Sequence, residues 1–278
     1  MISSRNSFEK FRIDGRSAII TGGAGLLGIQ HASALLEAGG NVILWDINLD
    51  KLNTAKSLLS TEFTSSNVEI EVVDVSDELQ VTKAFSNVGT EISILVNNAS
   101  INPKYGGKNS DIEFSRLENF EIANWDRELA VGLTSAFLCS KIIGTSMAKN
   151  NSGVILNVAS DLSIIGPDQR LYELDGYDNF SQPVKPITYS VIKAGLIGLT
   201  RYLATYWNKS GVRVNAISPG GVYENQPEEF VSRLSKLIPL GRMAEAEEYR
   251  SAIQFLCSDA SNYMTGHNLV MDGGRSVW

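Results

Sequence analysis

The chain has 278 residues, 43% of them hydrophobic, and a formal net charge of −7. This size suits one large α/β domain with a sizeable core. The negative charge argues against a nucleic-acid-binding protein, which usually has a basic patch and a high pI. No apolar run reaches the roughly 18 residues that a membrane span requires, and residues 1–16 lack the apolar segment of a signal peptide. We therefore expect a cytoplasmic protein with no nucleic-acid or membrane partner.

Cysteine and histidine are scarce, with two residues of each type. Cys139 and Cys257 fall in apolar helical patterns, which predicts buried free thiols rather than a disulfide. His31 and His267 are too few for a zinc site built from several histidines, so we expect no metal. Acid–base chemistry is therefore expected to depend on Tyr, Lys, Asp or Glu side chains.

Short β-branched segments alternate along the chain with longer amphipathic ones. The predicted strands are Ser17–Thr21, Asn41–Trp45, Glu69–Val73, Ile92–Val96, Val154–Val158, Arg213–Ile217 and Asn268–Met271. The predicted helices include Leu26–Ala38, Asp77–Val88, Trp125–Lys149 and Tyr189–Trp207. This alternation predicts an α/β fold: a single Rossmann-fold domain over residues 1–278, with a doubly wound parallel sheet of about seven strands and helices on both faces.

Two polar stretches, near residues 101–124 and 161–187, follow strand ends. In open α/β sheets the ligand crevice lies at the carboxyl ends of the strands. We therefore predict that these stretches are active-site loops, with an oligomer contact or a plain surface loop as the alternative.

A glycine-rich turn follows the first predicted strand. Gly22, Gly25 and Gly28 lie between this strand and the next helix. Glycines there permit a tight turn and close approach of the backbone to a pyrophosphate, which the helix N-terminus attracts. The context of strand, turn and helix predicts a dinucleotide site.

Asp46 ends the second predicted strand, about twenty residues beyond the glycines. A carboxylate there accepts hydrogen bonds from both ribose hydroxyls and repels a 2′-phosphate, which predicts NAD rather than NADP as the cofactor. The alternative is a helix-capping or solvated aspartate.

Tyr189 and Lys193 are four residues apart on a predicted helix and therefore share one face. A lysine ammonium near a phenol favours the phenolate and lowers the pKa of the tyrosine from about 10. Tyr189 then becomes a usable general base, although this spacing alone is common and mostly structural.

With these motifs in place, the chain resembles the short-chain dehydrogenase/reductase family from about Gly15 to Gly274. The further matching segments are Asp74-Val75, Asn97-Asn98-Ala99-Ser100, Asn157-Val158-Ala159-Ser160, Pro219-Gly220, Tyr263-Met264-Thr265-Gly266 and Asp272-Gly273-Gly274. The resemblance implies an enzyme, an NAD-dependent oxidoreductase acting on CH–OH groups, with Ser160, Tyr189 and Lys193 as catalytic residues. The implied cofactor-binding residues are Gly22, Gly25, Leu27, Gly28, Asp46, Asp74, Val75, Asn98, Ala99, Tyr189, Lys193, Pro219, Gly220 and Val222.

The family mechanism implies a role for each catalytic residue. Tyr189 removes the proton of a substrate alcohol while hydride passes to the nicotinamide, or the reverse. Ser160 holds the substrate oxygen, and Lys193 lowers the pKa of Tyr189 and binds the nicotinamide ribose.

The chain departs from the family pattern at three positions. Leu26 stands at the middle glycine of the turn, Gly132 replaces a helix asparagine, and Glu224 lies near the position of a threonine that contacts the carboxamide. The Gly132 carbonyl could still bind a proton-relay water, so we expect Gly132→Asn to leave the rate unchanged or raise it. The alternative is that Gly132 permits close packing or a kink. Other functions that remain open are a non-catalytic NAD-sensing module and an NADPH-dependent ketoreductase.

The long polar segment between Ser160 and Tyr189 predicts a polar, sugar-like substrate bound by Ser160, Tyr189 and Arg170. Arg170 matches a carboxylate or phosphate, or else it pairs with Asp168 or Asp175 within the loop. A narrower resemblance, through residues 168–172 and 275–278, is to oxidoreductases of flagellin-modification or nonulosonate clusters. The long predicted helices correspond to those that pair in the family, which predicts a homodimer or homotetramer.

Overall fold

The computed structural model describes residues 6–64, 67–101 and 115–278. Within these residues, seven strands form one parallel sheet in the order β3-β2-β1-β4-β5-β6-β7. The strands are β1 (Ser17–Thr21), β2 (Asn41–Asp46), β3 (Val68–Val72), β4 (Ile92–Asn97), β5 (Gly153–Val158), β6 (Val212–Pro219) and β7 (Asn268–Met271). The predicted α/β fold with a doubly wound parallel sheet is confirmed.

Helices cover both faces of this sheet. They are α1 (Leu26–Glu37), α2 (Leu49–Glu62), α3 (Glu78–Ser86), α4 (Ile122–Lys149), α5 (Ile187–Tyr206), α6 (Glu228–Ser235) and α7 (Arg250–Cys257). One core cluster joins the sheet to α1, α2 and α7, and the other joins it to α3, α4 and α5. Side chains alternate between the faces of a strand, so Ile20 of β1 packs in the first cluster and Ile19 in the second.

The long helix α4 is irregular. It contains π-helical turns at Ala130–Thr134 and Ser140–Gly144. By length and composition alone it is the one helix in the described chain that could cross a membrane. Its side chains Cys139, Ile143 and Met147 are at most 1% exposed and pack in the second core cluster, which is the position of a core helix against a sheet.

The strand order reverses between β1 and β4, which are neighbours in the sheet although β2 and β3 come between them in the chain. A ligand crevice opens at the carboxyl ends of the strands at such a point. The ends of β1, β4, β5 and β6 bring Thr21, Asn97, Val158 and Pro219 to this edge.

His31 of α1 lies in the core and is 0% exposed. Neither imidazole nitrogen has a hydrogen-bond partner among the described residues. Burial lowers the pKa of His31 to about 3, because the charged imidazolium would lose its hydration without a compensating partner. The folded protein therefore holds His31 neutral, whereas the unfolded chain binds a proton near pH 6.5.

We expect His31 to destabilise the fold in acid. Since its pKa is lower in the folded than in the unfolded state, its contribution falls as pH drops below about 6.5, by about 1.4 kcal/mol per pH unit down to about pH 3. The free energy of unfolding should be measured by denaturant titration at several pH values. His31→Leu should flatten the profile between pH 6.5 and 4.5, and equal slopes for both proteins would contradict this assignment.

Candidate active site

The glycine turn between β1 and α1 packs tightly against neighbouring backbone. Gly22 has a φ of +60°, and a Cβ built there would lie 2.9 Å from the Ala99 Cα. A Cβ at Gly28 would clash with the Gly22 carbonyl oxygen. Gly25 allows more room, since its nearest such contact is 3.3 Å. The turn therefore requires glycine at Gly22 and Gly28, which leaves a backbone surface at the N-terminus of α1.

Asp46 lies beside this turn at the end of β2. Its Oδ2 accepts a hydrogen bond of 3.4 Å from the Ala24 amide, and Oδ1 accepts one of 3.1 Å from the Asn48 amide. The carboxylate is partly exposed, so it can still accept hydrogen bonds from a ligand lying along the turn.

The end of β4 is tied to the same turn. The Asn98 side-chain amide donates to the carbonyls of Thr21 and Gly22 at 3.1 and 3.0 Å. The backbone amides of Asn98 and Ala99 both donate to Thr21 Oγ1, at 3.0 and 3.1 Å. These bonds join the two strands at the point where the order of the sheet reverses.

Ser160, Tyr189 and Lys193 meet at the ends of β5 and α5. The Lys193 ammonium donates to the Val158 carbonyl at 2.9 Å and lies 5.7 Å from the centre of the Tyr189 ring. Tyr189 and Ser160 line the same cavity as Lys193, and Ser160 lowers the pKa of Tyr189. The three predicted catalytic side chains therefore form one group.

Burial governs the protonation of this group. Burial, together with the nearby charge of Lys185, lowers the pKa of Lys193 to about 8. It also raises the pKa of Tyr189, as does the charge of Asp161, while the hydrogen bond with Ser160 lowers it. The prediction that Lys193 brings the pKa of Tyr189 below 10 is wrong in its net direction, because desolvation of a phenolate outweighs the favourable contacts.

A second lysine contacts the tyrosine. The Lys185 ammonium lies 3.8 Å from the centre of the Tyr189 ring, a cation–π distance. Burial lowers its pKa to about 8, whereas Asp161 and Glu128 raise it. Lys185 was not among the residues predicted from the sequence, because it lies before Pro186 and outside α5, where helix spacing gives no signal.

A cavity of about 350 Å³ opens in front of these side chains. The predicted site residues that line it are Leu27, Asn98, Ser160, Tyr189, Lys193, Pro219, Gly220 and Val222. Asp161, Tyr172, Lys185, Glu224 and Arg275 also line it. The predicted loop near 161–187 thus contributes to the cavity wall, whereas much of the loop near 101–124 (residues 102–114) lies outside the described residues.

Several predicted cofactor residues lie away from this cavity. Asp74 accepts from the Ser76 amide and hydroxyl at 2.9 and 2.6 Å, and Val75 is 5% exposed within the core. Glu224, by contrast, lines the cavity near the position predicted for the carboxamide contact, and its backbone amide donates to Gln226 Oε1 at 2.7 Å.

Arg170 forms a bidentate pair within its own loop. Its Nε and Nη2 donate to the two carboxylate oxygens of Asp168 at 2.8 and 2.7 Å, and its side chain is 78% exposed. It is not among the residues that line the cavity. The geometry corrects the expectation that Arg170 grips the substrate and matches the loop ion pair given as its alternative, because Asp168 occupies the guanidinium fork.

Gly132 permits close packing between α4 and α5. A Cβ built at Gly132 would lie 2.7 Å from Ile192 Cγ2 and 3.0 Å from Cδ1. The space in which an asparagine would stand is thus filled by the residue before Lys193. The position also falls in a π-helical turn, a feature common at functional sites. These contacts match the close-packing alternative, and they argue against the expectation that Gly132→Asn leaves the rate unchanged or raises it.

We therefore expect Gly132→Asn to lower both stability and turnover. Overpacking a filled site costs about 1–3 kcal/mol, and displacement of Ile192 would move Lys193 next to it. Denaturant unfolding and kcat should be measured together, with Gly132→Asn/Ile192→Ala as the matched variant that restores space. If Gly132→Asn unfolded at the same denaturant midpoint as the wild type, α4 and α5 would accommodate the side chain without loss of stability, and the prediction would be wrong.

The fold and this site together define a class of protein. A glycine turn at the strand-order reversal, an acidic residue at the end of β2, and a serine–tyrosine–lysine group facing a cavity are the parts of a dinucleotide-dependent oxidoreductase. Residues 16–172 match the family model described as short chain dehydrogenase, and residues 179–276 match the one described as enoyl-(acyl carrier protein) reductase. The chain belongs to the short-chain dehydrogenase family.

Relatives span nearly the whole chain. D-threitol dehydrogenase of Mycolicibacterium smegmatis is 30% identical over 96% of this chain and 95% of its own. NAD-dependent glycerol dehydrogenase of Listeria innocua is 28% identical over 97% and 98%. The crystal structure of a gluconate 5-dehydrogenase from Burkholderia cenocepacia in complex with NADP and tartrate superposes with a TM-score of 0.82, at 26% identity, over 98% of this chain and 100% of that one.

Proposed function

We propose that the protein is an NAD-dependent dehydrogenase that transfers hydride between the coenzyme and an alcohol or carbonyl carbon of a polyol or similar sugar-like substrate. The observation that carries this proposal is the group of Ser160, Tyr189 and Lys193 at the wall of one cavity, at the edge of the sheet where the strand order reverses.

The residues present fit a nicotinamide dinucleotide. The turn that carries Gly22, Gly25 and Gly28 suits a pyrophosphate, because its backbone, in which a Cβ at Gly22 or Gly28 would clash, lies at the N-terminus of α1, which favours an anion. Asp46 would hold the adenosine ribose, with Asp74, Val75 and Ala99 around the adenine half. Leu27, Asn98, Pro219, Gly220 and Val222 would hold the nicotinamide half. The nicotinamide supplies the hydride acceptor or donor.

The side chains of the chain itself handle the proton. In alcohol oxidation the Tyr189 phenolate would accept the hydroxyl proton, and in reduction the phenol would return it. Ser160 would hold the substrate oxygen, and Lys193 would bind the nicotinamide ribose. Because burial raises the pKa of Tyr189, oxidation is expected to speed up as pH rises and the phenol ionises.

The cavity wall favours a hydroxyl-rich substrate. Asp161, Lys185, Glu224, Gln226 and Arg275 bring polar and charged groups to the cavity that Tyr189 lines. The apolar side chains Leu171, Phe230, Leu234 and Met243 line it as well. The names of the threitol and glycerol dehydrogenases point to the same substrate class.

A larger acidic or nucleotide-linked sugar is the second candidate substrate. It follows from the narrower resemblance of residues 168–172 and 275–278 to flagellin-modification or nonulosonate-cluster oxidoreductases. The observation that favours it is that Arg275 lines the cavity and donates to Asp161 through Nη1, while its other guanidinium N–H groups suit an anionic group.

A coenzyme-coupled screen tests the proposal. Polyols, aldonates, sugar phosphates, nucleotide sugars and long-chain alcohols should be compared by the absorbance of reduced nicotinamide, each with NAD and NADP. We expect the highest kcat/KM for a polyol or sugar with NAD. Preference for a long-chain alcohol would overturn the substrate class. Binding of NADH with no turnover of any substrate would favour the NAD-sensing alternative.

We also propose a cytoplasmic homodimer or homotetramer assembled through α4 and α5. These helices expose Phe137, Val191, Tyr202 and Tyr206, with 49%, 37%, 63% and 65% of their surface accessible. Apolar side chains grouped in this way are typical of a surface that pairs with a second copy. Light scattering at micromolar concentration should give two or four times the chain mass of 30.3 kDa, and a monomer would contradict the proposal.

A further inference from the structure

A buried chain of hydrogen bonds leads from the serine at the tyrosine cavity to an arginine far along the sequence. Ser160 lines the same cavity as Tyr189 and lowers the pKa of that tyrosine, and the Ser160 hydroxyl donates to Asp161 Oδ1 at 2.8 Å. Arg275 Nη1 donates to the other oxygen, Oδ2, at 2.7 Å. The Leu162 amide completes the set by donating to Asp161 Oδ1 at 2.8 Å.

The Asp161–Arg275 ion pair is buried, with 4% and 8% of its side chains exposed. An ion pair of this kind is often no more stabilising than apolar side chains of the same volume, because both charges lose their hydration. A role in stability therefore explains it poorly. Arg242 and Glu248 form an exposed pair, with 53% and 39% of their side chains accessible, and such a pair keeps most of its hydration.

The backbone around Arg275 is shaped to deliver its side chain. Asp272 Oδ1 accepts from the Gly274 amide at 2.9 Å, and Oδ2 accepts from the Ser276 amide at 2.8 Å. Gly274 has a φ of +89°, and a Cβ built there would lie 2.8 Å from Pro239 Cγ. Because of this turn, the Arg275 side chain, which follows β7, reaches Asp161, which follows β5.

We propose that Arg275 is a positioning residue. Through its ion pair it holds the Asp161 carboxylate against the Ser160 hydroxyl and offsets the negative charge that Asp161 places beside the tyrosine. The inference rests on the proposed role of Tyr189 as the proton acceptor.

Charge balance around Tyr189 gives the direction of the effect. Asp161 raises the pKa of Tyr189, because a nearby anion disfavours a second negative charge, and the guanidinium counters that field. The other titratable or charged groups that face this region are Glu128 on α4, Lys185 before α5, Lys193 on α5, Asp168 and Tyr172 in the loop, Glu224 after β6, Tyr249 before α7, and Asp272 after β7. Arg275 forms an ion pair with Asp161 at 2.7 Å and is therefore a direct counter-charge to this carboxylate.

The test is the pH profile of kcat/KM for the oxidation of the best substrate from the screen. Arg275→Gln should move its acidic limb upward by about one pH unit, since a like charge nearby shifts a pKa by amounts of this order. At pH values below the limb, kcat/KM should then fall about tenfold. Arg275→Lys and the double variant Asp161→Asn/Arg275→Gln should return the limb toward the wild type, because the first restores the cation and the second removes the anion. Arg242→Gln is the matched control and should leave the profile unchanged.

A second readout needs no turnover. Tyrosinate absorbance should be titrated in each protein and in the same protein with Tyr189→Phe, and the difference gives the ionisation of Tyr189. Arg275→Gln should raise its midpoint, and the double variant should not. If no substrate is found, this titration still tests the inference apart from the proposed function.

Three outcomes would overturn the inference: an unmoved limb in Arg275→Gln, a double variant shifted as far as the single one, or unchanged tyrosinate titrations. If Arg275→Gln does not fold, the pH profiles of Arg275→Lys and of the double variant should be compared with that of the wild type. In that case, a double variant that folds but keeps a shifted limb contradicts the role of the pair.

Discussion

Tyr189→Phe should lose nearly all turnover while the protein still folds and still binds NADH. The substitution removes the hydroxyl that would exchange a proton with the substrate, and general acid–base groups contribute about a hundredfold to ten-thousandfold. The phenyl ring keeps its place below the Lys185 ammonium, 3.8 Å from the ring centre in the wild type. The loss should therefore appear in kcat, with the dissociation constant of NADH within about a factor of two.

Tyr249→Phe is the matched control for this prediction. Tyr249 is 1% exposed and its hydroxyl donates to the Met271 carbonyl at 3.3 Å, so the variant also removes a hydroxyl from a buried ring. It should cost about 1 kcal/mol of stability, the usual contribution of one hydrogen bond, and leave kcat near the wild-type value. Equal losses of kcat in both variants, or turnover retained in Tyr189→Phe, would refute a proton-transfer role for Tyr189.

The sheet was predictable because its signal is local. Each buried strand is a short β-branched run, and β1 and β7 have the bounds that the sequence predicts. Among the strands whose bounds differ, β2 includes Asp46, β4 includes Asn97 and β6 continues to Pro219, while β3 runs one residue earlier than predicted, over Val68–Val72. Hydrophobic pattern alone cannot predict these ends, since backbone pairing continues beyond the last apolar side chain.

The charges around Tyr189 were less predictable because they depend on long-range contacts. Asp161 and Arg275 are 114 residues apart, and no spacing rule connects them. Burial reverses the expected shift in the pKa of Tyr189, and motif spacing carries no information about burial. Gly132 was misjudged for a related reason: the sequence identifies a missing asparagine, whereas only the packing of α4 on α5 shows that Ile192 fills the space.

Asp46→Ala should weaken NADH binding about tenfold to a hundredfold and relax discrimination against NADPH. The carboxylate would accept hydrogen bonds from two ribose hydroxyls, and hydrogen bonds to a charged group contribute about 1.5–3 kcal/mol. Its place beside the glycine turn is set by the bond from the Ala24 amide. A 2′-phosphate there would meet this negative charge, and residues 41–50 contain no lysine or arginine to receive it.

Fluorescence titration should therefore show that the wild type binds NADH much more tightly than NADPH, whereas Asp46→Ala should bind the two coenzymes about equally. Asp50→Ala is the matched control, because Asp50 has the same charge four residues further on, in the first turn of α2. If the effect of Asp46 came only from net charge near the site, Asp50→Ala would change the ratio equally. If a specific hydrogen bond to ribose is responsible, only Asp46→Ala changes the preference for NADH over NADPH. Asp46→Asn keeps an acceptor but loses the charge, so its preference should lie between those of the wild type and Asp46→Ala. A wild-type protein that binds NADPH more tightly than NADH would overturn the assignment of the coenzyme.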